Sequence, residues 1–422
     1  MSIALIAPKK LSGSIDVPPS KSDTHRAIIC ALLAKDISEI YPIDLSNDIM
    51  STINAAETLG AYVKVVKNHL IIDSRFAFSK NYVTLNCHES GSTLRFLAPV
   101  VSAHGIAAQF EGTGTLLSRP MGVYADVLPK FGVRCTYNGA LPFSVDGKLK
   151  PGKFLIPGNV SSQFITGLLF ALPILHDNSE IILTTPRESS GYVDMTIKTM
   201  LKFGVKVAKT ENGFKIPGNQ HYKARNYVTE GDWSQAAFFL AAGAIGEPVT
   251  VHGIKIDSSQ GDKAITKLLY RMGADVKCEE NSVTVSPGNL SGFNVFAAPT
   301  PDLVPILAIL GACAQGTTRI LGASRLKFKE SDRLRAINDG LKKLGVNVIE
   351  TDDGLLIEGQ KSFNKASLNG FNDHRIVMAL SVAAIKAREK ICISSAESIS
   401  KSYPSFFEDY NKLGGAVNVL DI

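Results

Sequence analysis

The segment VDMTIKTMLKFGVKVAKTENGFKI, from Val193 to Ile216, holds one complete change of secondary structure. Val193, Ile197, Met200 and Leu201 recur at helical spacing, which predicts an amphipathic helix over 193–202. Gly204 follows, placed to end that helix in a left-handed conformation. Val205-Lys206-Val207 then alternates as a strand. Asn212-Gly213 is a tight-turn pair, and Phe214-Lys215-Ile216 returns as a second strand.

The same succession recurs six times. Its glycines are Gly60, Gly132, Gly204, Gly273, Gly345 and Gly414, at steps of 72, 72, 69, 72 and 69 residues, and such regularity marks a repeat architecture. The fifth copy reads as a helix over 334–344, Gly345, a strand over 346–349, Asp353-Gly354 and a strand over 355–357. The second copy turns at Asn138-Gly139 and the fourth at Asn281-Ser282. A second series of helix starts interleaves at Ser22, Gly91, Ser162, Asp232, Asp302 and His374, at steps of 69, 71, 70, 70 and 72. The runs that follow, such as 27–33 and 164–172, are apolar nearly all round and are expected to be buried. Each copy therefore holds two helices and about four strands, a βαβαββ plan, and six copies divide into two domains of three.

Composition agrees with two globular α/β domains: 422 residues, 45% hydrophobic and 20% charged. The net charge of +6 contains no run of five like charges, which argues against a nucleic-acid arm and suits a small anionic substrate. Cys30, Cys87, Cys135, Cys278, Cys313 and Cys392 form no CxxC pair, so they are expected as buried thiols in a reducing compartment rather than as a zinc or redox site. The N-terminus lacks a basic stretch followed by an apolar one, and the longest apolar runs, such as 238–245, are the size of core helices. A cytoplasmic protein without a membrane partner is expected. No GxGxxG follows a strand, and no P-loop or GxSxG elbow occurs.

Helix N-termini attract anions, and here the starts are rich in Ser, Lys and Arg. Lys21 and Ser22 open one helix, Ser161 and Ser162 another, and Ser189 precedes Tyr192 at a third. Lys329, Glu330 and Arg333 lie across a fourth, Lys401 precedes Pro404 at a fifth, and Arg119 precedes Pro120, a favoured first helical residue. Taken singly, each Ser reads as an N-cap and each Lys or Arg as solvated. Asp232 reads as a plain cap. Taken together, cations at helix starts oppose the dipole, and a bound anion at each would remove the conflict. Asp302 follows Pro301 at the head of an apolar helix over 303–313. It is either an N-cap or an acid–base group among cations, with Glu330 a second candidate. His374, beside Arg375, could donate to a developing negative charge.

The same motifs carry a resemblance. Pro19-Ser20-Lys21-Ser22-Asp23-Thr24-His25-Arg26 resembles the N-terminal lysine-serine motif of the 5-enolpyruvylshikimate-3-phosphate synthase family. Similar matches follow in order: Ser90-Gly91-Ser92-Thr93-Leu94-Arg95, Ser118-Arg119-Pro120-Met121, Ser161-Ser162-Gln163-Phe164, Ser189 with Tyr192, Pro301-Asp302, Lys329-Glu330-Ser331-Asp332-Arg333, Asp373-His374-Arg375 and Lys401-Ser402-Tyr403-Pro404. The resemblance implies a two-domain inside-out α/β barrel with three βαβαββ repeats in each domain. One domain would span 20–229 and the other 1–19 plus 230–422, with hinges near 17–20 and 228–232 and closure over the substrates.

The implied reaction transfers the enolpyruvyl group of phosphoenolpyruvate to the 5-hydroxyl of shikimate 3-phosphate and releases phosphate. No metal or organic cofactor and no nucleic acid are implied, and a monomer is expected. Shikimate 3-phosphate would meet Lys21, Ser22, Arg26, Ser161, Ser162, Gln163, Ser189, Tyr192, Asp302, Arg325 and Lys329. Phosphoenolpyruvate would meet Lys21, Gly91, Arg119, Gln163, Arg333, Arg375 and Lys401. Asp302 would take the hydroxyl proton, Glu330 and Lys21 both remain candidates for proton transfer to carbon, and His374 joins the catalytic set. The chain departs from the family pattern at Glu89, at Arg325 in place of a common Asn, and at Phe96 in place of a frequent Pro. A sister enzyme acting on UDP-N-acetylglucosamine typically has a Lys-Asn motif and a loop cysteine. Here Ser22 follows Lys21, and no cysteine lies between Cys87 and Cys135. A non-catalytic relic of the fold would lack the Asp302–Glu330 pair, and the histidine motif of an RNA-cyclase-like enzyme is not apparent.

Overall fold

The computed structural model describes residues 2–186, 188 and 190–421. Among these, twelve α-helices form two alternating sets. The odd-numbered helices are α1 (Lys21–Leu33), α3 (Gly91–His104), α5 (Ser162–Ala171), α7 (Trp233–Ile245), α9 (Val304–Cys313) and α11 (His374–Ala383). The even-numbered helices are α2 (Asn47–Thr58), α4 (Gly122–Val127), α6 (Ser190–Lys202), α8 (Ala264–Met272), α10 (Arg333–Lys343) and α12 (Phe406–Lys412). Each even helix runs within a few residues into a repeat glycine, and all six of those glycines have φ between +84° and +105°. A residue with a Cβ is strained there, so glycine is what the chain reversal demands.

Odd helices have little polar surface to leave outside. Every residue of α7 is buried, and so is every residue of α9 except Cys313. Helices α1, α3 and α5 pack on one another and on α2 and α6. The sheets lie outside them, with strands such as Tyr82–Asn86 alternating exposed and buried residues. This is the inside-out α/β arrangement.

Among the described residues there are six four-stranded sheets. In one, Tyr82–Asn86 pairs parallel with Ala107–Glu111 across α3. Phe143–Asp146 then pairs antiparallel with Ala107–Glu111, and Arg134–Thr136 antiparallel with Phe143–Asp146. The other sheets repeat this order, but three strands come from distant sequence. Asn226–Val228 pairs parallel with Ile37–Tyr41. Gly13–Asp16 pairs parallel with Val249–His252. Ser2–Ile6 lies between Ile391–Ser394 and Val417–Asp421. The chain thus divides into a terminal unit, Met1–Pro18 with Glu230–Ile422, and a central unit, Pro19–Thr229. Each has its own apolar core.

Local details differ from the sequence reading. After Gly204 the strand is Ala208–Thr210, not 205–207. The Lys206 N–H donates to Gln220 Oε1 at 2.8 Å, and its carbonyl accepts from Gln220 Nε2 at 2.9 Å, so a side-chain amide replaces a strand neighbour. In the fifth copy the strand is Val348–Thr351, two residues late. Leu201 is 56% exposed, and Val193, Met195, Thr196, Thr199 and Met200 form the buried face of α6. Only Cys30 and Cys87 of the six free thiols are buried. Cys278 is exposed because it sits on the outermost strand of its sheet, Asp275–Glu279. Among the described residues no helix is long and apolar enough to cross a membrane.

Two glycine substitutions separate strain from collision. Gly204 has φ +85° and its Cβ would meet only the Lys223 side chain, whereas a Cβ on Gly213 would lie 1.9 Å from the Ile181 carbonyl oxygen. Gly204→Ala should lower unfolding free energy in urea by about 1–2 kcal/mol. Gly213→Ala should give little soluble protein. Equal losses would contradict this account of the hairpin.

Candidate functional site

In the central unit the starts of α1, α3 and α5 carry the predicted groups. Ser20, Ser90 and Ser161 cap these helices through their side chains, accepting from Asp23 N, Thr93 N and Gln163 N. Lys21 stands at the first position of α1 and pairs with Asp48 near the start of α2, at 2.7 Å. Arg26 is almost wholly buried. Its Nε donates to Thr196 Oγ1 at 2.8 Å, Nη1 to the Ser22 carbonyl at 2.5 Å and Nη2 to the Tyr192 carbonyl at 3.0 Å. Its guanidinium also faces the rings of Phe96 and Tyr192. Burial pushes its pKa down to about 10, against the raising effect of Asp23, so it stays cationic at neutral pH.

Gly91 lies beside three polar groups. A Cβ there would come 3.1 Å from Arg119 Nη1, 3.3 Å from Arg95 Nη1 and 3.4 Å from Gln163 Oε1. Arg95 also orients its neighbours: Nη1 donates to Gln163 Oε1 at 2.7 Å and Nη2 to the Pro120 carbonyl at 3.1 Å. Gln163 Nε2 in turn donates to Ser92 Oγ at 3.0 Å. Ser162 is buried at the first position of α5, and Ser161 precedes it. Ser189 lies outside the described residues.

In the terminal unit Asp302 is the centre of an ion cluster. Its Oδ1 lies 2.8 Å from Arg333 Nη1 and 3.4 Å from Lys329 Nζ, and its Oδ2 lies 3.2 Å from Arg375 Nη2. Burial alone would raise its pKa. The charges of Arg375, Lys329 and Arg333 outweigh that and hold it well below the usual carboxylate range. Glu330 Oε2 pairs with Arg333 Nη2 at 2.6 Å. Burial lowers the Lys329 ammonium pKa, and Asp302 opposes this. Arg375 Nη2 also bonds Ser234 Oγ at 3.0 Å.

Asp373 holds this cluster from behind. Wholly buried, it accepts from Arg333 Nε at 2.8 Å, Ser331 Oγ at 3.0 Å and the Arg375 N–H at 3.0 Å. One carboxylate thereby caps α11 and clamps the first residue of α10. Removing one partner of such a buried pair costs about 3–5 kcal/mol. His374 is buried beside it, with Nδ1 4.0 Å from Asp373 Oδ1. Lys401 Nζ donates to the Asn372 carbonyl at 2.7 Å, and Arg325 Nη2 to the Ala298 carbonyl at 2.9 Å. Asp232 is a cap, accepting from Ser234 N and Gln235 N, as its sequence context suggests.

Several expectations about helix starts are corrected. Asp302 lies in a 3₁₀ turn, Pro301–Leu303, ahead of α9, and its carboxylate faces cations rather than capping. Arg119 follows the 3₁₀ turn Gly114–Ser118, and α4 begins at Gly122, so Pro120 is not a first helical residue. Lys401 ends the 3₁₀ turn Ala396–Lys401, five residues before α12, and Lys329 follows the turn Ser324–Phe328. Lys21 and Arg333 do stand at α-helix starts. Carboxylates of the protein offset each of them: Asp48 for the first, and Asp302, Glu330 and Asp373 for the second. The dipole conflict therefore does not require a bound anion. Asp48, Arg95 and Asp373 escaped sequence reasoning as site residues. Arg95 and Asp373 lie inside quoted motifs, but Asp48 carries no local signal beyond an ordinary helix start.

Residues 5–410 match the family described as EPSP synthase (3-phosphoshikimate 1-carboxyvinyltransferase). The 3-phosphoshikimate 1-carboxyvinyltransferase of Clostridium novyi (strain NT) is 43% identical over 424 residues, covering 98% of each chain. That of Clostridium kluyveri is 43% identical over 420 residues, covering 99% of each. The EPSP synthase structure from Acinetobacter baumannii superposes with a TM-score of 0.85 at 26% identity, covering all of both chains. The enolpyruvyl transferase NikO from Streptomyces tendae shares the fold, with a TM-score of 0.82 at 18% identity over 99% of this chain and 98% of that one. With ordered motifs, six βαβαββ copies and a match along nearly its whole length, the chain belongs to the EPSP synthase family.

Proposed function

We propose that the protein transfers the enolpyruvyl group of phosphoenolpyruvate to the 5-hydroxyl of shikimate 3-phosphate, in aromatic amino acid biosynthesis. The observation that carries this is a largely enclosed carboxylate, Asp302, 13% exposed and kept ionised by Lys329, Arg333 and Arg375, on a chain whose motifs follow the family's order. Both substrates are polyanions. Planar guanidinium groups suit their carboxylate and phosphate oxygens.

In this scheme Asp302 accepts the proton of the 5-hydroxyl as its oxygen attacks the central carbon of phosphoenolpyruvate. A proton reaches the methylene carbon from Glu330 or Lys21, giving a tetrahedral intermediate. Loss of a proton from that carbon expels phosphate and regenerates the double bond. Because Asp302 is a weak base in its cationic surroundings, hydroxyl deprotonation has to be coupled to protonation of carbon. Arg119, Arg333, Arg375 and Lys401 hold phosphoenolpyruvate, with Gly91 leaving room for its approach. Ser22, Arg26, Ser161, Ser162, Gln163, Ser189, Tyr192, Arg325 and Lys329 serve shikimate 3-phosphate, and His374 supports the developing charge. The enzyme acts as a cytoplasmic monomer, the unit boundaries near 17–20 and 228–232 serve as hinges, and no cofactor or nucleic acid takes part.

Purified protein with both substrates and no added metal should release phosphate. Turnover with UDP-N-acetylglucosamine in place of shikimate 3-phosphate would overturn the substrate assignment. Asp302→Ala should lower kcat by at least about 100-fold, the usual scale of general-base catalysis. A change confined to KM would remove Asp302 from the proton-transfer role.

The depressed Asp302 pKa also fixes a sign. Its stabilisation is fully present above the unfolded carboxyl value, about 3.9, and is lost as pH falls through the lower folded value. In urea titrations the stability gap between wild type and Asp302→Asn should stay constant from pH 7 to 5 and shrink below about pH 4. A gap that widens on acidification would contradict the ion cluster.

A further inference from the structure

A buried titratable group in the central unit is unused by the scheme above. His25, on α1, is 1% exposed, and its Nδ1 lies 2.7 Å from Thr52 Oγ1 on α2. Thr52 Oγ1 lies 2.7 Å from Thr93 Oγ1 on α3, and Thr93 Oγ1 donates to Ser90 Oγ at 2.7 Å. Thr52, Thr93 and Ser90 are each buried to within 1% of complete. Ser90 is the cap of α3, and Gly91 follows it.

The hydrogens along this chain can be assigned. A threonine hydroxyl has one hydrogen. Thr93 gives its hydrogen to Ser90, so Thr52 must give its own to Thr93. His25 Nδ1 must then be the donor to Thr52. That leaves Nε2 bare, and Nε2 has no hydrogen-bond partner among the described residues. A protonated ring would bury an N–H there without an acceptor, at high cost. Burial, Lys21 and Arg26 all lower the His25 pKa, in the same direction.

We infer that the neutral His25 ring and Thr52 are positioning residues, setting where the Ser90–Gly91 start of α3 stands relative to the start of α1. This rests on the proposal that Gly91 receives phosphoenolpyruvate. The chain links three helices through three short polar contacts inside an apolar core, where an unmade hydrogen bond is costly and a made one is directional. A one-sided break should therefore move the α3 start rather than merely loosen it.

Thr52→Val keeps the shape and removes the hydroxyl, while Thr52→Ser keeps the hydroxyl. The expected result for Thr52→Val is a KM for phosphoenolpyruvate raised about tenfold, with kcat and shikimate 3-phosphate binding within about threefold of wild type. Thr52→Ser should restore wild-type values. Amide exchange at Thr93, whose N–H donates to Ser90 Oγ at 3.2 Å, should quicken in Thr52→Val alone. A folded Thr52→Val with wild-type kinetics and exchange overturns the inference, as does an equal rise in both KM values. Should Thr52→Val fail to fold, Thr52→Cys supplies the same comparison with a weak hydrogen-bonding group. If wild type itself shows no turnover, the enolpyruvyl reading fails. Amide exchange alone then decides between a positioned and an indifferent α3 start.

Discussion

A helix that is apolar on every side can offer chemistry only at its ends. That constraint governs this molecule. Helices α7 and α9 have almost no polar surface, and α1, α3, α5 and α11 are buried along most of their length. Sheets cover them, so the groups that could meet a substrate gather where helices begin or just before. Lys21, Ser22, Gly91, Ser161, Ser162, Asp302, His374 and Arg375 all follow this rule. Chain reversal at six left-handed glycines returns the backbone to the next sheet strand each time.

Such concentration of charge near a core would be prohibitive without local compensation. The protein supplies it with carboxylates. Asp373 satisfies Arg333 and caps α11 at once, Asp302 faces three cations, and Asp48 answers Lys21. The folded units are thus electrically arranged before any substrate is considered. Polar residues on otherwise apolar helix faces belong to this economy too. Thr196 and Thr199 look like lapses in the α6 pattern, yet they bond Arg26 and the Asp23–Tyr227 pair.

Much of this was legible in the residues. The six-copy repeat, the two helix series and the βαβαββ plan follow from periodicity and glycine spacing, which are local properties. The candidate residues were legible as motifs, and Asp232 as a plain cap. Boundaries were less so. The strand after Gly204 starts late because Gln220 supplies its side chain to Lys206, fourteen residues away. The dipole conflict assigned to Lys21 was read without Asp48, a partner 27 residues away. Arg119-Pro120 and Lys401 stand at or just past the end of a 3₁₀ turn, short of the next α-helix, and no local residue marks that gap.

By itself the sequence determined the copy number, the helices and strands of each copy, and the residue types able to bind anions. Tertiary structure alone decided which strands share a sheet. Ser2–Ile6, Gly13–Asp16 and Asn226–Val228 alternate as any short strand does, yet each completes a sheet whose other members lie elsewhere in the chain. The reason is physical. Alternation reports which face a strand buries, whereas its partner is chosen by backbone hydrogen bonds that no side chain in the strand specifies. The same holds at the site, where the cations, Asp302 and Glu330 could be read from the chain, but Asp48 and Asp373 were matched to Lys21 and Arg333 only by folding.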